Sequence, residues 1–109
     1  MAAVLKNKVV KDIGTLPVDI FETTPSNRAT VIGMSVTNLT ENLVYVDVLV
    51  QDDTSNTGYY LKETLLPANT SLRVVSQGEK LILAPSNKLQ VRSNVNDSVD
   101  VIVSYAEIT

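Results

Sequence analysis

The chain has 109 residues, with 9 basic against 12 acidic side chains and a net charge of -3. That is the size of one ordinary domain, and the acidic balance argues against binding nucleic acid or an anionic membrane surface, both of which call for a basic face. Cysteine and histidine are both absent, which excludes a disulfide framework, thiolate metal sites and every His-dependent catalytic arrangement.

Residues 1–15 differ from the rest of the chain. Lys6, Lys8 and Lys11 cluster in an otherwise acidic chain, among Val4, Leu5, Val9, Val10 and Ile13. One reading is an edge strand with solvated lysines. The other is an arm that crosses onto a neighbouring subunit, and it is preferred because the segment is more apolar than a free tail needs. These first dozen residues are also the one place where a helix is conceivable. No apolar run approaches the length of a membrane span, and Lys6 follows Met1-Ala2-Ala3-Val4-Leu5 at once, so no signal-peptide core forms. The expectation is a soluble protein made in the cytoplasm.

Beyond the arm, apolar residues alternate at the period of half-buried strands. Pro25-Ser26-Asn27 leads into a run with Ile32, Met34 and Val36 on one face and Gly33, Ser35 and Thr37 on the other. After a polar turn over 38–42, Val44, Val46, Val48 and Val50 face one way and Tyr45, Asp47 and Gln51 the other. A longer loop over 52–58 precedes Tyr59-Tyr60-Leu61, and Pro67-Ala68-Asn69 introduces the run over 72–75. Residues 76–79 part it from a short run over 81–83, and Pro85-Ser86-Asn87 introduces Leu89, Val91 and Val95, which alternate with Gln90, Arg92 and Asn94. The last run has Val99, Val101 and Val103 against Asp100 and Ser104, while Ile102 and Ile108, like Leu49 earlier, leave the second face partly apolar.

The thrice-repeated Pro-small-Asn turn is strand punctuation: proline pre-sets φ, and asparagine bonds its own backbone and tolerates the left-handed region. Strands separated by such turns every ten residues or so predict an all-β chain. The expected architecture is a single antiparallel β-sandwich, jelly-roll or Ig-like, of about seven to eight strands over residues 16–109, with residues 1–15 as an extended N-terminal arm.

Chemistry is sparse. Asp52-Asp53 with Glu63 is a conceivable glycosidase pair, but carboxylates in turns are far commoner. Calcium would want oxygen ligands from loops, and Asp52, Asp53 and Asn56, or Asn96, Asp97 and Asp100, could supply them. Neither set has EF-hand spacing, and turns favour Asp and Asn anyway. No catalytic, cofactor-binding or metal-ligating residue is therefore assigned, and no enzyme is expected. Tyr59 and Tyr60 are adjacent on a strand, so one ring faces the core and the other solvent, where a tyrosine can anchor an interface or stack on a sugar. The expected interaction residues are Val4, Leu5, Lys6, Lys8 and Lys11 in the arm, and Asp52, Asp53, Tyr59 and Tyr60 at the long loop.

Four segments resemble small structural proteins of tailed-bacteriophage virions, of the marine and cyanophage kind. They are Ala29-Thr30-Val31-Ile32-Gly33-Met34-Ser35-Val36-Thr37-Asn38; Gly58-Tyr59-Tyr60-Leu61-Lys62-Glu63-Thr64-Leu65-Leu66-Pro67-Ala68-Asn69-Thr70-Ser71-Leu72; Gly78-Glu79-Lys80-Leu81-Ile82-Leu83-Ala84-Pro85; and Val99-Asp100-Val101-Ile102-Val103-Ser104-Tyr105-Ala106-Glu107-Ile108. Their order and spacing, rather than any one motif, make the likeness, which spans residues 16–109. It implies a non-enzymatic building block located in the virion, a homo-oligomer bound to other capsid, neck or tail subunits. Capsid decoration is the preferred station, and a neck, tail or fibre accessory or a glycan-binding fibre module is the alternative.

Overall fold

A computed structural model describes residues 3–75 and 80–108. Among these, nine strands and no helix are present: β1 (Ala3–Ile13), β2 (Val18–Glu22), β3 (Arg28–Asn38), β4 (Val44–Gln51), β5 (Thr57–Leu66), β6 (Ser71–Val75), β7 (Leu81–Leu83), β8 (Lys88–Ser93) and β9 (Val99–Ile108). They form two antiparallel sheets, the first in the order β1-β9-β3-β6 with β7 also on β3, the second in the order β2-β8-β4-β5. The chain crosses between the sheets at β1–β2, β2–β3, β3–β4, β5–β6, β7–β8 and β8–β9. That winding is a jelly roll, whereas an Ig-like sandwich builds each sheet largely from hairpins.

The Pro-small-Asn turns stand immediately before β3 and β8, and one residue before β6. Two of them meet at one end of the sandwich. There the buried Thr23 hydroxyl donates to Ala84 O at 2.6 Å and accepts from Asn87 N–H at 2.9 Å. The third is tied down at the far end of β3 by buried Asn38, whose amide donates to Asn42 O, Leu66 O and Pro67 O at 2.8, 3.0 and 3.2 Å while its Oδ1 accepts from Thr40. These side-chain bonds replace the backbone partners that a turning chain leaves behind. The expected turn over 76–79 lies outside the described residues.

Between the sheets lies an aliphatic core in which Val31, Val36, Val44, Val46, Val48, Leu83, Leu89, Val91, Val99, Val101 and Val103 are fully buried. Phe21 of β2 stacks on Tyr105 of β9 at 4.3 Å between ring centroids, which pins the two sheets together at one end.

Several sequence expectations change. Among the described residues of 16–109 there are eight strands, β2 to β9, within the expected seven to eight, but β2 was hidden in the sequence because a bulge between Asp19 and Phe21 buries both Ile20 and Phe21 and spoils the alternation. Ile32 turns outward, because a bulge between Val31 and Gly33 switches the inward positions from odd to even numbers. Val95 belongs to the turn after β8, not to the strand. The first dozen residues form no helix among those described. Ala3–Ile13 is an 11-residue strand paired antiparallel with β9 of the same chain, at the edge of the first sheet.

Candidate assembly face

The outward residues of the first sheet lie in cross-strand rows. Leu5, Ala106, Thr30 and Ile82 form one row, Asn7, Ser104 and Gly33 the next, and Val9, Ile102, Ser35 and Arg73 a third. Five large aliphatic side chains stand exposed there: Leu5 (77%), Ile82 (67%), Val9 (57%), Ile102 (50%) and Ile32 (44%). Of the eleven residues in those three rows only Arg73, at one margin, is charged, while Asp100 and Arg28 lie in the rows at the two ends. The bulge at Ile32–Gly33 opens a depression of about 390 Å³ in the middle of this face, bounded by Ile32, Gly33, Ser35, Arg73, Ile102 and Ser104. A contiguous aliphatic surface with charges only at its margins has the composition of an interface centre.

The outer face of the second sheet is built differently. Asp47 on β4 accepts from Arg92 Nε at 2.7 Å and from the Glu63 backbone N–H at 2.6 Å, and Arg92 Nη2 donates to the Tyr59 hydroxyl at 2.6 Å. The hydrogen bond to Asp47, foremost, holds the Arg92 guanidinium in its charged form. Lys62 and Arg92 both lie over the Tyr59 ring, at 5.3 and 5.7 Å from its centroid. Lys88 pairs with Glu22 at 3.7 Å and Asp19 at 4.0 Å. Here the charges answer one another within the chain. A shallow groove of about 280 Å³, lined by Tyr45, Asp47, Glu63, Arg92 and Asn94 among others, runs beside the Arg92–Asp47 pair.

The predicted interaction residues do not converge on one place. The pleat of β1 separates them: Leu5 faces outward with Val9, whereas Val4, Lys6 and Lys8 take the core-side face opposite Glu107, Tyr105 and Val103. Lys6 and Lys8 are nevertheless exposed, and Lys6 pairs with Glu107 at 3.0 Å, which raises its pKa. Charges pointing to the inner face of an edge strand discourage indiscriminate strand pairing. Lys11 sits in a bulge of β1, beside Asp12.

At the long loop, Asp52 serves its own turn. Its Oδ1 accepts from Thr54 Oγ1 at 2.6 Å, Thr54 N–H at 2.9 Å and Asn56 N–H at 3.0 Å, and these bonds, the hydroxyl foremost, lower its pKa. Asp53 stays exposed. Of the tyrosine pair, Tyr59 is the surface ring and Tyr60 packs against the core. Arg92 and Asp47 were not singled out in the sequence; their register across β4 and β8 is the link, and it becomes visible only once those strands are paired.

No family profile matches the chain, and no curated protein is similar to it in sequence. Solved structures do share its fold. A chain of the T13 IBDV viral particle aligns over 96% of this one and 30% of its own length, with a TM-score of 0.59 and 10% identity. The infectious bursal disease virus VP2 subviral particle aligns over 96% of this chain and 32% of that one, with a TM-score of 0.53 and 10% identity. A chain of Bacillus endospore appendages, described as disulfide-linked pili, aligns over 98% of this chain and 88% of its own, with a TM-score of 0.59 and 6% identity. At these identities the likeness is one of fold. The chain spans about a third of the length of the virus-particle chains it matches. Disulfide linkage, as in the pili, has no counterpart in a chain without cysteine.

Proposed function

We propose that this chain is a non-enzymatic virion structural subunit of a tailed bacteriophage, that it binds other virion proteins, and that it decorates the capsid. The observation that carries the reading is the exposed aliphatic face of the first sheet, centred on Ile102 and bare of charge except at its margins. A monomer working alone gains nothing from five such side chains in water, whereas a particle subunit needs a face of this kind. The sequence resemblance to phage virion proteins and the jelly roll shared with virus-particle chains point the same way. The internally paired charges of the second sheet suit a surface turned to solvent.

Quantitative mass spectrometry of purified virions tests the proposal. Hundreds of copies per particle support decoration, about a dozen or fewer point to a neck, tail or fibre station, and absence from the particle overturns the virion role. A second reading, a glycan-binding module, draws on Tyr45 and Tyr59, both exposed, near the groove at Asp47 and Arg92. A glycan array run with wild type and Tyr59→Ala separates the two: signal lost with the ring supports it, and no signal from wild type removes it.

A further inference from the structure

The outward rows of the first sheet are self-complementary. Take the row Asn7–Ser104–Gly33 as the middle of the face. A two-fold axis lying in the face, along that row, sets each copy's rows against the other's in reverse order. Leu5 and Ala106 of one copy then meet Val9 and Ile102 of the second. Arg28, paired with Ile108 at one end of β3, meets the row that holds Thr37 and Asp100 at the other. Ile82, 67% exposed, faces the row of Ser35 and Arg73, where the depression lies.

We infer that a second copy of this chain docks on this face, sheet against sheet about a two-fold axis, with Ile82 of each copy seated in the Ile32–Gly33 depression of the other. The inference rests on the subunit reading above and names the occupant of its assembly face. Knob and hole on one patch are what an isologous contact requires, since every contact must occur twice. Charge agrees: the centre is neutral, and two end residues of unlike sign, Arg28 and Asp100, fall in rows that meet. Size agrees too. β1, β9 and β3 have 11, 10 and 11 residues, and β6 and β7 beside β3 have 5 and 3; at about 3.3 Å per residue and about 4.8 Å between strands they make a face of roughly 600 to 700 Å² in projection. Its corrugated surface is then comparable to the roughly 800 Å² per partner of a standard stable interface.

Gly33 supplies a variant that spares the fold. A Cβ placed there meets nothing within 4 Å, so Gly33→Val fills the depression without crowding the monomer. Light scattering over a dilution series should show wild type at twice the chain mass, and Gly33→Val should raise the dimer dissociation constant at least about tenfold, with the same thermal midpoint as wild type once both are diluted to monomer. Geometry is read independently by cross-linking, because the chain has no cysteine of its own. A short bismaleimide that spans the roughly 10 Å between packed sheets should join Leu5→Cys to Val9→Cys in a mixture, and neither variant efficiently to itself. A monomer at every concentration, a trimer or larger ring, a dimer indifferent to Gly33→Val, or efficient joining of Leu5→Cys to itself would each overturn the inference. A monomer present in hundreds of copies per virion overturns only the two-fold contact and leaves the virion role standing. A dimer absent from virions overturns the virion role alone.

Discussion

On the second sheet Asp47, Arg92, Lys88, Asp19 and Glu22 satisfy one another across strands, and on the first sheet Leu5, Val9, Ile32, Ile82 and Ile102 satisfy nothing within the chain. Yet both sheets solve one local problem in one way. The edge strands β1 and β5 each contain a bulge with a Lys-acid pair, Lys11-Asp12 and Lys62-Glu63, whose acidic residue has positive φ, 57° and 48°. In each case the bulged N–H donates to an aspartate on the neighbouring central strand, Asp12 to Asp100 at 3.0 Å and Glu63 to Asp47 at 2.6 Å. The bulges interrupt the open edges, and the aspartates keep the interruption from stranding a backbone donor. The difference is that Asp47 also holds Arg92, while Asp100 stands at the margin of an apolar field. One face has its charges paired within the monomer, and the other keeps its aliphatic side chains exposed.

The largest effect should come from breaking the charge-paired face. Asp47→Ala removes both the Arg92 partner and the acceptor for Glu63 N–H, and should cost about 2 to 3 kcal/mol in urea denaturation. Asp47→Asn keeps an acceptor for the bulge and should recover part of that loss. Asp100→Ala, on the other sheet, removes one bulge cap and should cost about 1 kcal/mol. Equal losses at the two sites would mean that the Asp47–Arg92 pair, whose side chains are 13% and 32% exposed, adds nothing beyond the cap.

Substitution on the aliphatic face should separate stability from assembly. Ile102→Ser lies on a half-exposed position and should move the unfolding free energy by no more than about 0.5 kcal/mol while weakening self-association severalfold. If stability fell by several kcal/mol instead, Ile102 would be serving the monomer and the contrast between the faces would fail.

Much of this was legible in the residues themselves. The three Pro-small-Asn turns mark the starts of β3, β6 and β8, because proline and asparagine act locally and need no partner strand. The alternation of Val44, Val46 and Val48 and of Val99, Val101 and Val103 shows their inward faces for the same reason. The features that sequence alone conceals are non-local. A bulge shifts the pleat by one residue, so Ile32 reads as core and stands in solvent, and Ile20-Phe21 reads as no strand at all. The lysines of β1 look like a cluster in the sequence, but pairing with β9 distributes them between a pleated face and a bulge. Ile102, between two buried valines, and Ile108 were the local hints of an apolar outer face on β9, and only the register showed that Leu5, Val9 and Ile82 share it.

The smallest effect belongs to the loop that joins β4 to β5. Asp52 has its pKa lowered by the Thr54 hydroxyl and the surrounding N–H groups. A carboxylate whose folded pKa is depressed stabilises the fold above its unfolded pKa of about 3.9, and that contribution is lost as pH falls through the folded value. Asp52 lies at the protein surface, so screening by water and salt keeps the effect slight. Wild type should therefore lose a little stability below about pH 4 that Asp52→Asn does not lose. The difference should show as a flatter acid limb in the variant's thermal midpoint, with self-association the same in both, because the loop joins strands of the second sheet. If dimerisation changed along with the acid limb, the loop would have to reach the apolar face, and the assignment of separate duties to the two sheets would need revision.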